Sequence, residues 1–151
     1  MKTIFIFISF FIFFTSSAIA IDEDYTIKPK DIKAIDGDTV LIKTKEGNAS
    51  VRLFGIDCYE THINNHINYQ KTDDITYDEI IKKGKQATII LEKILNKNKD
   101  IYLEITGMDK KYGRLVGIIY YKNSENRLIN INKLMEQSGF CPAYKYKPKH
   151  R

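Results

Sequence analysis

The stretch Ile35-Asp36-Gly37-Asp38-Thr39-Val40-Leu41-Ile42-Lys43-Thr44 decides the reading of the fold. Asp36-Gly37 is a strong hairpin signal, because Gly accepts the positive φ of a tight turn. Before it, Pro29 interrupts the run from Ile27 to Ile35, which reads as strand only from about Asp31. Thr39 to Thr44 reads as the returning strand, Lys45-Glu46-Gly47-Asn48 as the next turn, and Ala49 to Ile56 as a third strand. Apolar residues stand at both parities, Val40 and Ile42 on one face and Leu41 on the other. A sheet wet on one side would alternate more cleanly. Both faces are therefore expected to be covered, as in a small closed barrel with helices outside.

Working outward, Thr61 to Thr76 has no period and is rich in Asn, Asp, Thr and His. It reads as a long loop, a kind of segment that is usually functional or mobile. Thr76-Tyr77-Asp78-Glu79 has capping-box form. Ile80, Gly84, Ala87, Leu91 and Ile94 follow at the spacing of a buried helix stripe, with Lys82, Lys83, Lys85 and Lys93 facing out. Ile101 to Thr106 is a fourth strand, Gly107 to Gly113 a turn, and Leu115 to Tyr121 a fifth strand. Asn123 to Asn126 turns again, and Ile131 to Ser138 is a short helix closed by Gly139. No internal repeat interrupts this order. It predicts an α+β, mainly β domain: a five-stranded barrel of the oligonucleotide-binding type (OB-fold) with two or so packed helices.

The first twenty residues differ in kind. Lys2 is a minimal positive region, Ile4 to Phe14 is apolar apart from Ser9, and Ala18-Ile19-Ala20 has the small-x-small pattern of a signal-peptidase site. The apolar core is short for a span needing about 20 residues. The expectation is a leader over 1–20, a flexible arm over 21–30 and one domain over 31–151. The protein would then be secreted or periplasmic; the alternative is a membrane anchor formed by the uncleaved segment. Without the leader 131 residues remain, enough for a single core, and the net charge is +4 rather than +5. A modest positive charge fits an anionic partner. The end, Tyr144-Lys145-Tyr146-Lys147-Pro148-Lys149-His150-Arg151, alternates aromatic and cationic side chains. It suits base stacking and phosphate pairing, or is simply a solvated basic tail. Cys58 and Cys141 permit a disulfide in an exported chain; the alternative is two buried free thiols.

The chemistry concentrates at strand ends. Arg52-Leu53-Phe54-Gly55-Ile56-Asp57-Cys58-Tyr59-Glu60 places an arginine, an aspartate and a glutamate at the end of the third strand. Asp38 stands upstream, and Arg114 follows in Lys111-Tyr112-Gly113-Arg114. Two carboxylates to hold a hard cation, a third to take a water proton and two guanidinium forks for a phosphate make a tool kit for cutting a phosphodiester. Plainer readings stand beside this one. Asp36 and Asp38 could be turn residues, Arg52 could pair with Asp57 at the strand end, and Arg114 could be a surface arginine. His62 and His66 have a spacing that could ligate zinc on a helix, but they lie in a loop with no third ligand nearby.

Taken together, these motifs resemble the staphylococcal nuclease (thermonuclease) family over about Ile32 to Pro148. The resemblance implies that Asp38, Asp57 and the backbone carbonyl of Cys58 hold Ca²⁺, and that Glu60 is the general base. It implies that Arg52 and Arg114 grip the scissile phosphate, and that Lys111, Tyr112, Tyr144 and Tyr146 line the nucleotide pocket. The implied activity is calcium-dependent endonucleolytic cleavage of DNA and RNA leaving 3′-phosphates, by a monomer with no protein partner and no stable membrane association after cleavage. In the family fold the segment after the third strand runs beside the one entering the last tyrosines, which would bring Cys58 and Cys141 close. Two departures stand out: Tyr59 replaces the proline that commonly precedes the glutamate, and the loop after Glu60 is longer than in the founding member. The competing reading is a non-catalytic nucleic-acid-binding OB-fold domain.

Overall fold

A computed structural model describes residues 26–27 and 29–145. The leader over 1–20, most of the arm over 21–30, and Tyr146 with the rest of the basic end lie outside the described residues.

A short β1 (Thr26–Ile27) comes first, where the sequence reads as loose arm. β2 (Ile32–Ala34), β3 (Thr39–Thr44) and β4 (Gly47–Leu53) then form an antiparallel meander about the two expected turns. β5 (Ile101–Asp109) and β6 (Arg114–Lys122) form a hairpin, and β6 lies parallel beside β4. The five strands expected from the sequence are β2 to β6. They stand in the order β5-β6-β4-β3-β2 within one mixed, OB-fold-like sheet. β1 extends that sheet beyond β5, and β7 (Leu128–Asn130), which the sequence did not announce, pairs with the far end of β6. The turn expected from Gly107 is shorter than the sequence suggested, because β5 continues past a register shift between Ile105 and Gly107 as far as Asp109.

Val40, Ile42, Val51 and Leu53 of the sheet share one core with α2 (Tyr77–Lys97) and α3 (Ile131–Gln137). The start of α2 is a complete capping box. The Thr76 side chain accepts from the Glu79 N–H, and the Thr76 N–H donates to Glu79 Oε2 at 2.8 Å. Such a cap is worth about 1 kcal/mol. The fully buried stripe of α2 ends at Leu95 rather than Ile94, which packs half-buried at its edge. Asn132 of α3 is buried with every polar atom used: Nδ2 donates to the Phe54 and Gly117 carbonyls at 2.9 and 3.1 Å, and Oδ1 accepts from Ile119 N–H at 3.1 Å. It ties α3 to the point where β4 ends.

Gly37 serves a different purpose from the one its turn suggested. It has no positive φ. A Cβ there would lie 2.6 Å from the Ala87 Cβ and 2.8 Å from the Cys58 Cβ. The residue is glycine because α2 and the segment after β4 both close on the hairpin. That segment, Gly55 to Tyr59, pairs antiparallel with Phe140 to Tyr144. Asp57 N–H donates to Pro142 O at 2.9 Å, Tyr59 N–H to Phe140 O at 3.1 Å and Tyr144 N–H to Gly55 O at 2.8 Å. Cys58 and Cys141 face each other between these bonds, at the position where antiparallel chains approach closest, and are joined in a disulfide. The bridge that the sequence left open is present.

A crosslink of sequence separation 83 should contribute about 4 kcal/mol through the unfolded chain. Urea unfolding with and without reductant is expected to show that loss as a lower midpoint at similar slope. Equal midpoints would mean that the bridge contributes nothing.

Candidate active site

Asp38 closes the β2–β3 turn, and its carboxylate points inward, 2% exposed. Oδ2 accepts the Cys58 N–H at 2.6 Å; Oδ1 accepts Arg52 Nη1 at 2.5 Å and the Thr39 hydroxyl at 3.3 Å. Arg52 reaches this point because the β3–β4 register sets Thr39 opposite Arg52. The other arm of the fork, Nη2, donates to Asp57 Oδ1 at 2.5 Å. One guanidinium thus bridges two carboxylates. Burial pushes the Asp38 carboxyl up, to about 8, against the pull of Arg52 and of the Cys58 N–H. Burial also opposes the Arg52 charge, but Asp38 and Asp57 outweigh it and hold the guanidinium charged. The plainer readings are partly present. Asp36 Oδ1 does cap the turn, accepting Asp38 N–H at 3.0 Å, and Arg52 does pair with Asp57.

The site continues along the segment after β4. Gly55, at φ 84°, makes the turn out of the strand. Glu60 then projects from a backbone held on both sides. Its N–H donates to Gln70 Oε1 at 2.9 Å, while Gln70 Nε2 donates to the Cys58 carbonyl at 2.9 Å. The Glu60 carboxylate is gripped by Asn64 Nδ2 at 2.6 Å and His66 Nδ1 at 2.9 Å. His66 Nε2 also lies 3.7 Å from Asp57 Oδ2. The region read as a featureless loop therefore contains α1 (Ile67–Gln70) and folds back onto the glutamate. Sequence reasoning missed Asn64 and Gln70 and met His66 only as a zinc candidate; the one signal for Asn64 was the polar density of Asn64-Asn65-His66. His62 is turned to the Thr61 hydroxyl at 3.1 Å, and among the described residues no group of three or more His, Cys, Asp or Glu could hold a metal ion. The zinc reading gains no support.

The calcium reading asks for two carboxylates and a carbonyl, a smaller set of side chains. The donors present fit it. Asp38 and Asp57 offer hard oxygens to a shared positive charge, the kind of ligand calcium takes in loose geometry. The Cys58 carbonyl has one lone pair engaged by Gln70 and one remaining.

Arg114 opens β6. The parallel register places Arg52 opposite Val116, so Arg114, two residues earlier, lies on the same face of the sheet as Arg52. Arg114 Nη2 donates to Asp109 Oδ2 at 2.9 Å, and its Nε is buried without a partner. Although partial burial raises the Asp109 carboxyl, Arg114 holds it below its ordinary range. The Tyr112 ring lies 4.9 Å from the Arg114 guanidinium and 4.7 Å from Lys111 Nζ. Tyr144 is half exposed on the segment paired with Gly55. The structure thus gathers Asp38, Arg52, Asp57, Cys58 and Glu60 into one cluster. Lys111, Tyr112 and Arg114 form a second on the neighbouring hairpin, and Tyr144 stands on the adjoining strand.

A family model described as staphylococcal nuclease homologue matches residues 50–151. The match includes every expected site residue except Asp38. An uncharacterized protein of Methanocaldococcus jannaschii is 34% identical over 122 residues, 76% of this chain and 58% of that protein. An uncharacterized protein of Bacillus anthracis is 30% identical over 125 residues, 82% of this chain and 50% of that one. A micrococcal nuclease of Shigella flexneri is 27% identical over 120 residues, 76% of this chain and 57% of that one. The chain spans about half the length of these curated relatives.

Gly84 of α2 fixes where Glu60 stands. A Cβ at Gly84 would press on the Glu60 carbonyl and come within 2.5 Å of the Tyr59 carbonyl oxygen. Gly84→Ala is therefore expected to destabilise the fold by about 1–3 kcal/mol and to shift the Glu60 backbone. Gly107→Ala, with nothing within 4 Å of its Cβ, should be mild. Thermal melts of the two variants, read side by side, would count against this packing if they lost stability equally.

Proposed function

From the premise that the chain belongs to the staphylococcal nuclease family, we propose that it is an exported, calcium-dependent endonuclease of DNA and RNA that leaves 3′-phosphates. The observation that carries the reading is the cluster in which Arg52 bridges buried Asp38 and Asp57 while Glu60, three residues on, is held by its own set of donors. A non-catalytic nucleic-acid binder has no use for a carboxylate so fixed beside an arginine.

The chemistry follows from charge. A phosphodiester repels hydroxide, so cationic groups must neutralise it before water can attack. Arg52 and Arg114, on one face of the sheet, present two forks to a phosphate and to the charge that builds during attack. Glu60 takes the proton of the attacking water, a step worth about 10²–10⁴-fold. Asn64 and His66 occupy one side of its carboxylate and fix its direction. Asp38, Asp57 and the Cys58 carbonyl would hold Ca²⁺, which when bound adds Lewis-acid stabilisation of the phosphate oxygens. Lys111, Tyr112, Tyr144 and Tyr146 bind the nucleotide. Leaving a 3′-phosphate requires that the bond to the 5′ oxygen break, so that oxygen must lie opposite the water. Export with removal of residues 1–20 belongs to the same proposal.

The test is purified residues 21–151 with plasmid DNA and RNA, in Ca²⁺ and in excess chelator. Cleavage in Ca²⁺ and none in chelator is expected; undiminished cutting in chelator would remove the metal assignment. Glu60→Gln should lose about 10²-fold or more in turnover with near-normal binding of a nucleotide analogue in Ca²⁺. Arg114→Ala should lose turnover and analogue binding together. Wild-type cutting by Glu60→Gln would mean that another group takes the proton.

A further inference from the structure

We propose that Tyr69 is a stacking platform for one base of a single-stranded nucleic acid held across this site. The inference deepens the nuclease reading and rests on it. It adds a subsite built by the loop after Glu60, outside the nucleotide pocket of Lys111, Tyr112, Tyr144 and Tyr146.

Tyr69 is 85% exposed, the most exposed large apolar or aromatic side chain among the described residues. A solitary exposed tyrosine needs no explanation, but this one stands on a built support. Ile67, two residues before it, is fully buried. Asn64 Oδ1 accepts the His66 and Ile67 N–H groups at 2.8 and 2.9 Å, fixing the entry to α1. Gln70, the next residue, is tied to the backbone of both Cys58 and Glu60. The Tyr77 hydroxyl donates to Asn68 Oδ1 at 3.0 Å and fastens α1 to the start of α2. Almost every neighbour is fixed inward while the Tyr69 ring is left in solvent. A ring carried on a backbone already held in place loses less freedom when a ligand stacks on it than one on a loose loop.

Its position is equally specific. The Tyr69 and His66 ring centroids are 5.9 Å apart, and His66 Nδ1 is 2.9 Å from Glu60 Oε1. The exposed ring is therefore one side chain away from the group that handles the attacking water. The hairpin between β5 and β6 carries Lys111 and Tyr112, whose ring is 60% exposed. The Lys111 ammonium and the Arg114 guanidinium lie 4.7 and 4.9 Å from the centre of that ring. An exposed ring on this loop and another on the hairpin, the latter beside Lys111 and Arg114, supply base-stacking and phosphate-pairing groups. That is the chemistry of a single-strand track, and it accepts any base because each has a π face. A stacked duplex offers no free face to Tyr69, so the platform favours single-stranded or unpaired segments. An acidic peptide could meet the cations but would leave the ring without a partner.

The experiment uses the whole chain, in Ca²⁺, and short single-stranded oligonucleotides with phosphorothioate linkages that slow cleavage. Binding is read by fluorescence anisotropy while a single abasic position is moved along the strand. Tyr69→Ala should weaken binding of the intact strand by about tenfold, and Tyr69→Trp should preserve it. One abasic position should weaken the wild type to the same extent yet cost Tyr69→Ala nothing further. Unchanged binding by Tyr69→Ala would overturn the proposal. So would losses that add at every abasic position, which would mean that the ring serves the fold or a partner other than a base. Circular dichroism of Tyr69→Ala should match the wild type, because the ring is not packed. The nuclease reading fails separately: if the wild type cuts neither DNA nor RNA in Ca²⁺, that reading is lost whether or not the abasic and Tyr69→Ala losses coincide.

Discussion

A carboxylate as deeply buried as that of Asp38 is tolerated only where positive charge and N–H donors meet it. Most of the architecture near the site serves that requirement. β4 must lie in register beside β3 so that Arg52 arrives across from Thr39. The chain must turn at Gly55 so that the Cys58 N–H reaches Asp38 Oδ2. Asp57 shares the guanidinium through its other arm. The tension is energetic: burial opposes both the Asp38 and Arg52 charges, and the two aspartates outweigh it at Arg52, while at Asp38 it outweighs the pull of Arg52.

The segment Cys58-Tyr59-Glu60 is placed by two missing side chains. Gly37 leaves room for Cys58 on one side, and Gly84 leaves room for the Tyr59 and Glu60 carbonyls on the other. Neither glycine has a positive φ; each is there for distance. Backbone pressed against helix on one face and hairpin on the other gives Glu60 little freedom before any side-chain hydrogen bond forms. The Asn64, His66 and Gln70 contacts then orient a carboxylate whose backbone is already fixed. This is the order of rigidity expected of a group held in one geometry.

The legible part of the fold was the part set by local chemistry. Thr39–Thr44 announced itself through β-branched residues between two turns, and α2 through its capping box and stripe. The grouping of Asp38, Arg52 and Asp57 was legible because such side-chain types have few uses together at strand ends. What the sequence hid was long-range. β1 and β7 are two and three residues long, too short for a period, and exist only because β5 and β6 offer them edges. Gly37 was assigned to a tight turn because turns are local, while its real neighbour, Ala87, is far along the chain. Thr61 to Thr76 showed no period because its structure is made of side-chain bonds to Cys58 and Glu60, which leave no repeat. The Cys58–Cys141 bridge was open for the same reason: two cysteines permit pairing, and only the antiparallel run of Gly55–Tyr59 with Phe140–Tyr144 enforces it.

Tyr59 shows how such long-range contacts can replace a local device. The family commonly carries proline before the glutamate, and a proline stiffens the chain by fixing φ while giving up its N–H. Tyr59 lacks the ring closure but keeps the donor, which reaches Phe140 O at 3.1 Å. Its side chain lies under Lys83, with Nζ 4.9 Å from the ring centroid, and so adds a contact to α2. The residue before it is locked to Cys141, and the carbonyl after it rests against Gly84. Stiffness that a proline supplies within one residue is here distributed over the C-terminal segment and α2. The placement of Glu60 therefore depends on residues far from it in sequence, the disulfide among them. Loosening that bridge would be felt at the carboxylate as well as in the fold.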